Sequence, residues 1–242
     1  TRIAFIGGGN MASAIIGGLI RQGLPAARID VVEPFEATRA ALLQQHGVTA
    51  LPAAGEALAR CAVVVWAVKP QTFAEAAASV KAFAANALHL SVAAGIPSAS
   101  IARWLGTERI ERAMPNTPAL VGQGMTGLFA REAAGAADRA QVEQVLAPTG
   151  RLLWVDDEKA LDAVTAVSGS GPAYVFYFIE AMTEAGVEMG LTPAQAHQLA
   201  VGTFTGASAL AAGAAAPPAV LRERVTSKGG TTHAAISAME HA

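Results

Sequence analysis

The chain has 242 residues, 52% hydrophobic and 15% charged, with a formal net charge of -2, which is enough to bury one large or two ordinary cores. Its 17 lysines and arginines are dispersed rather than gathered into a nucleic-acid footprint, and its longest bulky apolar run, Cys61–Val68, is far too short to cross a bilayer. Ala and Gly (57 and 24 residues) make up a third of the sequence, and the single cysteine, Cys61, excludes an internal disulfide or a thiolate metal cluster, so a reducing, cytoplasmic setting is the default expectation.

In chain order, the segment from Arg2 to Ile6 reads as a strand entered at once, with no basic stretch and apolar helix of the kind that marks a signal peptide. Short β-branched runs at Arg2–Ile6, Ile29–Glu33, Val63–Val68 and Leu88–Val92 alternate with Ala-rich helical stretches at Met11–Arg21, Phe35–His46 and Gln71–Ala85. That alternation predicts βαβ units and a parallel sheet. Further strands are expected at Arg109–Met114, Thr126–Phe129 and Arg151–Trp154. Beyond Trp154 only helical periodicity and helix punctuation remain. Ser170-Gly171-Pro172 predicts a helix start, with Ser168 or Ser170 as its cap, and Gly190 predicts its stop; Thr192-Pro193 and Gly213 bracket a second helix. The pattern divides the chain into an α/β dinucleotide-binding part, residues 1–155, and an all-helical part, residues 156–242.

The strongest local feature is Ile6-Gly7-Gly8-Gly9-Asn10-Met11-Ala12, placed where the first strand meets the first helix. Gly7 permits the tight turn, Gly9 lets a pyrophosphate approach the backbone, and Ala12 allows close helix packing. The amides opening that helix then face an anion. The same residues also serve a ligand-free turn; their place in an N-terminal βαβ unit favours dinucleotide binding. Glu33 ends the second strand where an acid hydrogen-bonds the adenosine ribose, which favours NAD, whereas Arg39 lies within reach of a 2′-phosphate. Cofactor choice stays open at this level. Ala67-Val68-Lys69-Pro70 and Ala93-Ala94-Gly95 follow buried strands at the ligand-binding edge, and Met114-Pro115-Asn116-Thr117-Pro118 would offer Asn116 near a nicotinamide.

In the second half, Thr226-Ser227-Lys228-Gly229-Gly230-Thr231-Thr232 sets a double glycine before two hydroxyls at a helix start, an arrangement suited to a carboxylate or phosphate. The helix after Pro172 contains no lysine, so the usual proton donor of an alcohol-forming dehydrogenase is missing. The five histidines show no metal or catalytic spacing, although His233, beside Thr232, merits mutation.

Together these segments, with Ser168–Tyr174, resemble the pyrroline-5-carboxylate reductase family over nearly the whole chain. The resemblance implies a Rossmann-like N-terminal domain followed by an all-α domain through which two subunits pair, with larger oligomers left open. It also implies reduction of L-1-pyrroline-5-carboxylate to L-proline by NADPH or NADH. On this chain the implied cofactor contacts fall on Ile6, Gly7, Gly8, Gly9, Asn10, Met11, Ala67, Val68, Lys69, Pro70, Ala94 and Gly95. The substrate loop falls on Gly229, Gly230, Thr231 and Thr232, with the Thr232 hydroxyl meeting the substrate nitrogen. The chain departs from the family pattern at Lys228, where Pro is common, at Ala215, where some members carry Glu, and at Ala242, short of the usual last helix. The competing enzyme readings are another imine reductase or a β-hydroxyacid dehydrogenase on the same plan, the latter opposed by the missing lysine. A cofactor-sensing module without catalysis would have no need of the 226–232 loop.

Overall fold

The computed structural model describes residues Thr1–His241. They divide into two compact units, Thr1–Pro172 and a second from Ala173 onward. The first unit holds eight strands: β1 (Ile3–Ile6), β2 (Ile29–Val32), β3 (Ala50–Leu51), β4 (Val63–Trp66), β5 (Leu88–Ser91), β6 (Ile110–Met114), β7 (Gly124–Ala130) and β8 (Gly150–Trp154). They form one sheet in the order β3-β2-β1-β4-β5-β6-β7-β8. The helices of this unit are α1 (Asn10–Arg21), α2 (Glu36–His46), α3 (Phe73–Val80), α4 (Ser98–Leu105), α5 (Ala136–Leu146) and α6 (Ala160–Val164).

Both sheet faces are covered, which is why the central strands read as nearly unbroken apolar runs. Ile3 and Phe5 of β1 pack with Ile15, Ile16 and Leu19 of α1 and with Val142 and Leu146 of α5. Their neighbours Ala4 and Ile6 point the other way and join Val64 and Trp66 of β4, Phe73 and Val80 of α3, and Ile101 and Leu105 of α4.

The sheet is not wholly parallel: β6 and β7 pair antiparallel, with Glu111 opposite Ala130 and Met114 opposite Gly127. The residues from Pro115 to Gln123 are too few for the helical crossover that a parallel neighbour needs. β3, α4 and α5 are elements that strand and helix periodicity did not reveal. The helix expected over Gln71–Ala85 is confined to Phe73–Val80, and the strand expected to reach Val68 stops at Trp66.

The change of pattern near residue 155 coincides with the end of β8, whereas the first compact unit continues to Pro172. Leu161 of α6 is buried, and Val164 lies so close over β7 that a Cβ on Gly127 would meet its Cγ1 at 2.7 Å. After α6 the chain does not stop and restart. Residues Thr165–Gly169 form a π turn, with Ser170 N–H donating to Thr165 O at 2.8 Å, and lead into α7 (Gly171–Glu188). Ser168, one of the two serines expected to cap that helix, instead donates through Oγ to Val164 O.

The second unit comprises most of α7 with α8 (Pro193–Gly213), α9 (Pro218–Arg224) and α10 (Thr231–Glu240). Gly190 takes φ +100° after α7, and Thr192 opens α8 with a reciprocal capping box to Gln195. α7 and α8 meet over small residues, since a Cβ on Gly186 would lie 2.9 Å from that of Ala196. This unit buries little of its own apolar surface: Phe176, Tyr177, Phe178 and Met182 of α7 and Leu199 and Leu210 of α8 are all exposed.

Candidate active site

In the first unit the strand order reverses direction at β1, which has β2 on one side and β4 on the other. A doubly wound sheet opens its ligand crevice at the carboxyl ends of the strands at such a point. Here those ends are Ile6-Gly7 and Trp66-Ala67. Gly7 has φ +94°, and a Cβ on it would meet Ala67 O at 2.6 Å, so only glycine lets the two strand ends approach this closely. Gly7 N–H donates to Val32 O and Ala67 N–H to Ile6 O, which fixes both loops to β1 and β2.

Gly9 is the N-cap of α1, extended at φ -68°, with no side-chain cap and nothing within 4 Å of a Cβ placed on it. The first amides of a 12-residue helix, from exposed Asn10 and half-buried Met11, thus stand without a side-chain cap at the crevice. Ala12 is fully buried, which gives α1 its close seat on the sheet. Taken together, a turn that only glycine permits, an open position at Gly9 and an uncapped helix start fit a dinucleotide pyrophosphate.

Glu33 follows β2 and is buried, with both carboxylate oxygens engaged by main chain: Gly8 N–H donates to Oε2 at 2.8 Å and Phe35 N–H to Oε1 at 2.9 Å. It thereby holds the middle of the glycine turn. Arg39 is turned back on the same segment, its Nη1 donating to Glu33 O and Pro34 O. Beyond β4, Val68 is half-buried and Lys69 exposed, and Pro70 begins a short 3-10 turn.

After β5, Ser91 Oγ accepts from Ala93 N–H; Ala94 and Gly95 stand exposed, with Gly95 at φ +74°. This loop runs into the start of α4, where a network missed in the sequence secures it. Glu158 accepts from Ser98 N–H at 2.6 Å and from Ser98 Oγ at 2.7 Å, and its Oε1 also accepts from Arg112 Nη1 at 2.7 Å. Burial raises the Glu158 pKa, but the hydrogen bonds from Ser98 and Arg112 outweigh it and hold the group below the usual range. Arg131 Nη1 adds a bond to Ser98 Oγ. Glu158 lies in the charge run Asp156–Lys159 and reads as solvated surface; the available signal was Arg112, a charge in the middle of a buried strand.

Asn116 sits just past β6. Its Nδ2 donates to Ser168 O at 3.0 Å and its Oδ1 accepts from Met125 N–H at 2.9 Å, so it ties the Met114–Pro118 loop to β7 and to the π turn. Both heteroatoms of the Asn116 amide thus hold groups of the first unit, and each keeps one further hydrogen-bonding site. Met114 closes the same junction, since a Cβ on Gly169 would lie 2.7 Å from its Cε.

In the second unit, Gly229 takes φ +77°, Gly230 N–H donates to Ser227 O, and Gly230 is the N-cap of α10 without a side-chain cap. The first helical hydrogen bond runs from Ala234 N–H to Gly230 O. Thr231, Thr232 and His233 therefore present their amides at an uncapped helix start, with the two threonine hydroxyls beside them. Thr232 is half-buried and His233 exposed.

The sequence and fold have close counterparts. Residues 158–242 match the family model described as pyrroline-5-carboxylate reductase dimerisation, and residues 2–95 match one described as NADP oxidoreductase coenzyme F420-dependent. A pyrroline-5-carboxylate reductase of Pseudomonas aeruginosa is 47% identical over 99% of this chain and 88% of its own length. One from Haemophilus influenzae is 42% identical over 98% and 89%. Among solved structures, a pyrroline-5-carboxylate reductase from Coxiella burnetii superposes with a TM-score of 0.91 at 37% identity, covering 100% of this chain and 90% of that one. A Plasmodium falciparum pyrroline carboxylate reductase with NADP bound gives 0.87 at 28%, covering 99% and 89%.

Proposed function

Because the chain belongs to the pyrroline-5-carboxylate reductase family, we propose how its residues share that family's reaction, the reduction of L-1-pyrroline-5-carboxylate to L-proline in the last step of proline biosynthesis. The cofactor is NADPH or NADH, which supplies a hydride when bound. The Gly7–Met11 turn and the amides opening α1 hold its pyrophosphate, and Ala67–Pro70, Ala94 and Gly95 line its path along the strand ends. Glu33 and Asn116 brace this cradle through the main-chain bonds described above.

The substrate is a cyclic imine with a carboxylate. Once its nitrogen is protonated, hydride addition to the ring carbon turns the C=N π bond into the nitrogen lone pair and leaves a neutral amine. No alkoxide develops, so no strong general acid is needed, and α7 has no lysine to supply one. What remains is positioning. We assign the carboxylate to the amides of Gly229 and Thr231, with Gly230 shaping the turn because its own N–H is held by Ser227 O, and the ring nitrogen to the Thr232 hydroxyl. The observation that carries this assignment is the uncapped start of α10 behind Gly229-Gly230, a preformed anion site with hydroxyls in its first turn.

The exposed apolar faces of α7 and α8 support pairing of two copies through the helical unit, and assembly into larger oligomers and a cytoplasmic setting belong to the same proposal. Steady-state kinetics on Thr232→Ala test the substrate assignment. We expect turnover to fall roughly a hundredfold with cofactor affinity unchanged and with Thr232→Ser restoring most of it; wild-type turnover in the alanine variant would overturn the role.

A further inference from the structure

We propose that Glu33 makes this chain an NADH-preferring reductase; the inference rests on the cofactor site proposed above and concerns which of its two cofactors the site favours. A protein that selects NAD offers an acceptor to the ribose 2′-hydroxyl at the end of its second strand, and one that selects NADP offers cations to a 2′-phosphate there. The Glu33 carboxylate occupies this place and is not free to leave it. Its two oxygens each hold one main-chain amide, from Gly8 and Phe35. Swinging it aside would leave both amides unpaired, at a cost for each that is buried.

The side chain is also packed in. A Cβ on Gly8 would meet Leu42 Cδ1 at 2.7 Å, Thr38 Cγ2 at 3.3 Å and Glu33 Cγ at 3.4 Å, which puts the glycine turn, the Glu33 stem and the first turns of α2 in one close cluster. A carboxylate has about four lone-pair sites, so each Glu33 oxygen keeps acceptor capacity for a hydroxyl donor after serving its amide. A ribose diol can use that capacity. A 2′-phosphate has no comparable donor to give and brings like charge to a fixed anion, the repulsive element by which a site rejects the wrong ligand.

Arg39 does not reverse this balance. Its Nη1 is held by Glu33 O and Pro34 O at 3.0 and 2.6 Å, which ties the guanidinium to the strand end. Along residues 33–39 it is a single cation against two carboxylates, Glu33 and Glu36.

The test is equilibrium binding, separate from catalysis: dissociation constants for NADH and NADPH on the full chain, for wild type and for Glu33→Gln. We expect wild type to bind NADH at least about tenfold more tightly. In Glu33→Gln the preference should shrink by about the same factor, through tighter NADPH binding relative to NADH. The amide of Gln also turns a donor toward one of the two main-chain N–H groups, so a purely structural role would weaken both cofactors alike and leave their ratio unchanged. An unchanged ratio, equal or tighter NADPH binding by wild type, or binding of neither cofactor would each overturn the proposal. The wild-type ratio stands even if the variant fails to fold. Failure of the enzyme to reduce pyrroline-5-carboxylate with either cofactor would instead refute the substrate reading and leave this ratio intact.

Discussion

Asn116 and Ser168, 52 residues apart in sequence, are joined by a hydrogen bond from Asn116 Nδ2 to the Ser168 main-chain oxygen. With its Oδ1 on Met125 N–H, Asn116 links the loop after β6, the start of β7 and the π turn that precedes α7. Asn116→Ala leaves a donor and an acceptor without partners and should lower stability by roughly 1 to 3 kcal/mol. Asn116→Asp keeps the Met125 bond but sets a carboxylate against the Ser168 carbonyl, so it should be at least as damaging. Urea denaturation of both variants checks this; an aspartate variant as stable as wild type would show that the Ser168 bond contributes nothing.

The glycines of the first turn should separate by position. Gly7→Ala forces a Cβ to 2.6 Å from Ala67 O at a φ of +94°, so it should destabilise the first unit and abolish cofactor binding together. Gly9→Ala meets nothing within 4 Å and has an ordinary φ of -68°. It should fold with wild-type stability and lose only cofactor affinity. Thermal melts with and without NADH distinguish the two, and a Gly9→Ala protein with unaltered affinity would remove the pyrophosphate from that position.

On the acid side, stability should follow His89. It is buried on β5, its Nδ1 accepts from Trp66 Nε1 at 3.1 Å, and burial pushes its pKa down to about 4 from the ordinary 6.5. The unfolded chain therefore binds a proton that the folded chain refuses, and stability falls as pH drops from about 6.5 to about 4, by roughly 3 kcal/mol in all. His89→Gln, which keeps an acceptor for Trp66 but does not titrate in this range, should flatten that limb. Denaturation followed by tryptophan fluorescence across this range gives the slope.

Glu111 acts in the opposite direction. It is fully buried on β6, and neither carboxylate oxygen has a hydrogen-bond partner. Burial, and then the charges of Asp138 and Glu143, push its pKa up to about 8, against the lowering effect of Arg139 and Arg109. The folded state keeps a proton that the unfolded state releases near 4.5, so this group's contribution is full below pH 4.5 and is lost as pH rises through 8. Glu111→Met removes the penalty. It should stabilise the protein by roughly 2 to 3 kcal/mol at neutral pH and show little gain at pH 4.5. A variant no more stable than wild type at pH 8 would mean that the carboxyl finds a partner.

Much of this was legible because the signals are local. Gly7, Gly190 and Gly229 mark backbone with positive φ, Thr192-Pro193 marks a capped helix start, and alternate faces of β1 and β4 are apolar because both are covered. Pairing direction was less legible, since it depends on where a connection returns; the short 115–123 link carried the clue to the antiparallel β7. The roles of Glu33 and Asn116 are set by tertiary structure. Each was found as a polar residue at a strand end, but which main-chain groups they hold depends on loops 8, 125 and 168 arriving there. Ser168 reads as a helix cap in isolation and becomes part of a π turn only because α6 runs on into α7.

The reaction itself is tested most directly by adding L-1-pyrroline-5-carboxylate to the protein with NADH or NADPH and measuring cofactor oxidation and L-proline in the same samples. The account predicts oxidation that depends on the imine and yields L-proline mole for mole with cofactor consumed. Cofactor that binds but stays reduced in the presence of the imine, or is oxidised without L-proline appearing, would contradict it.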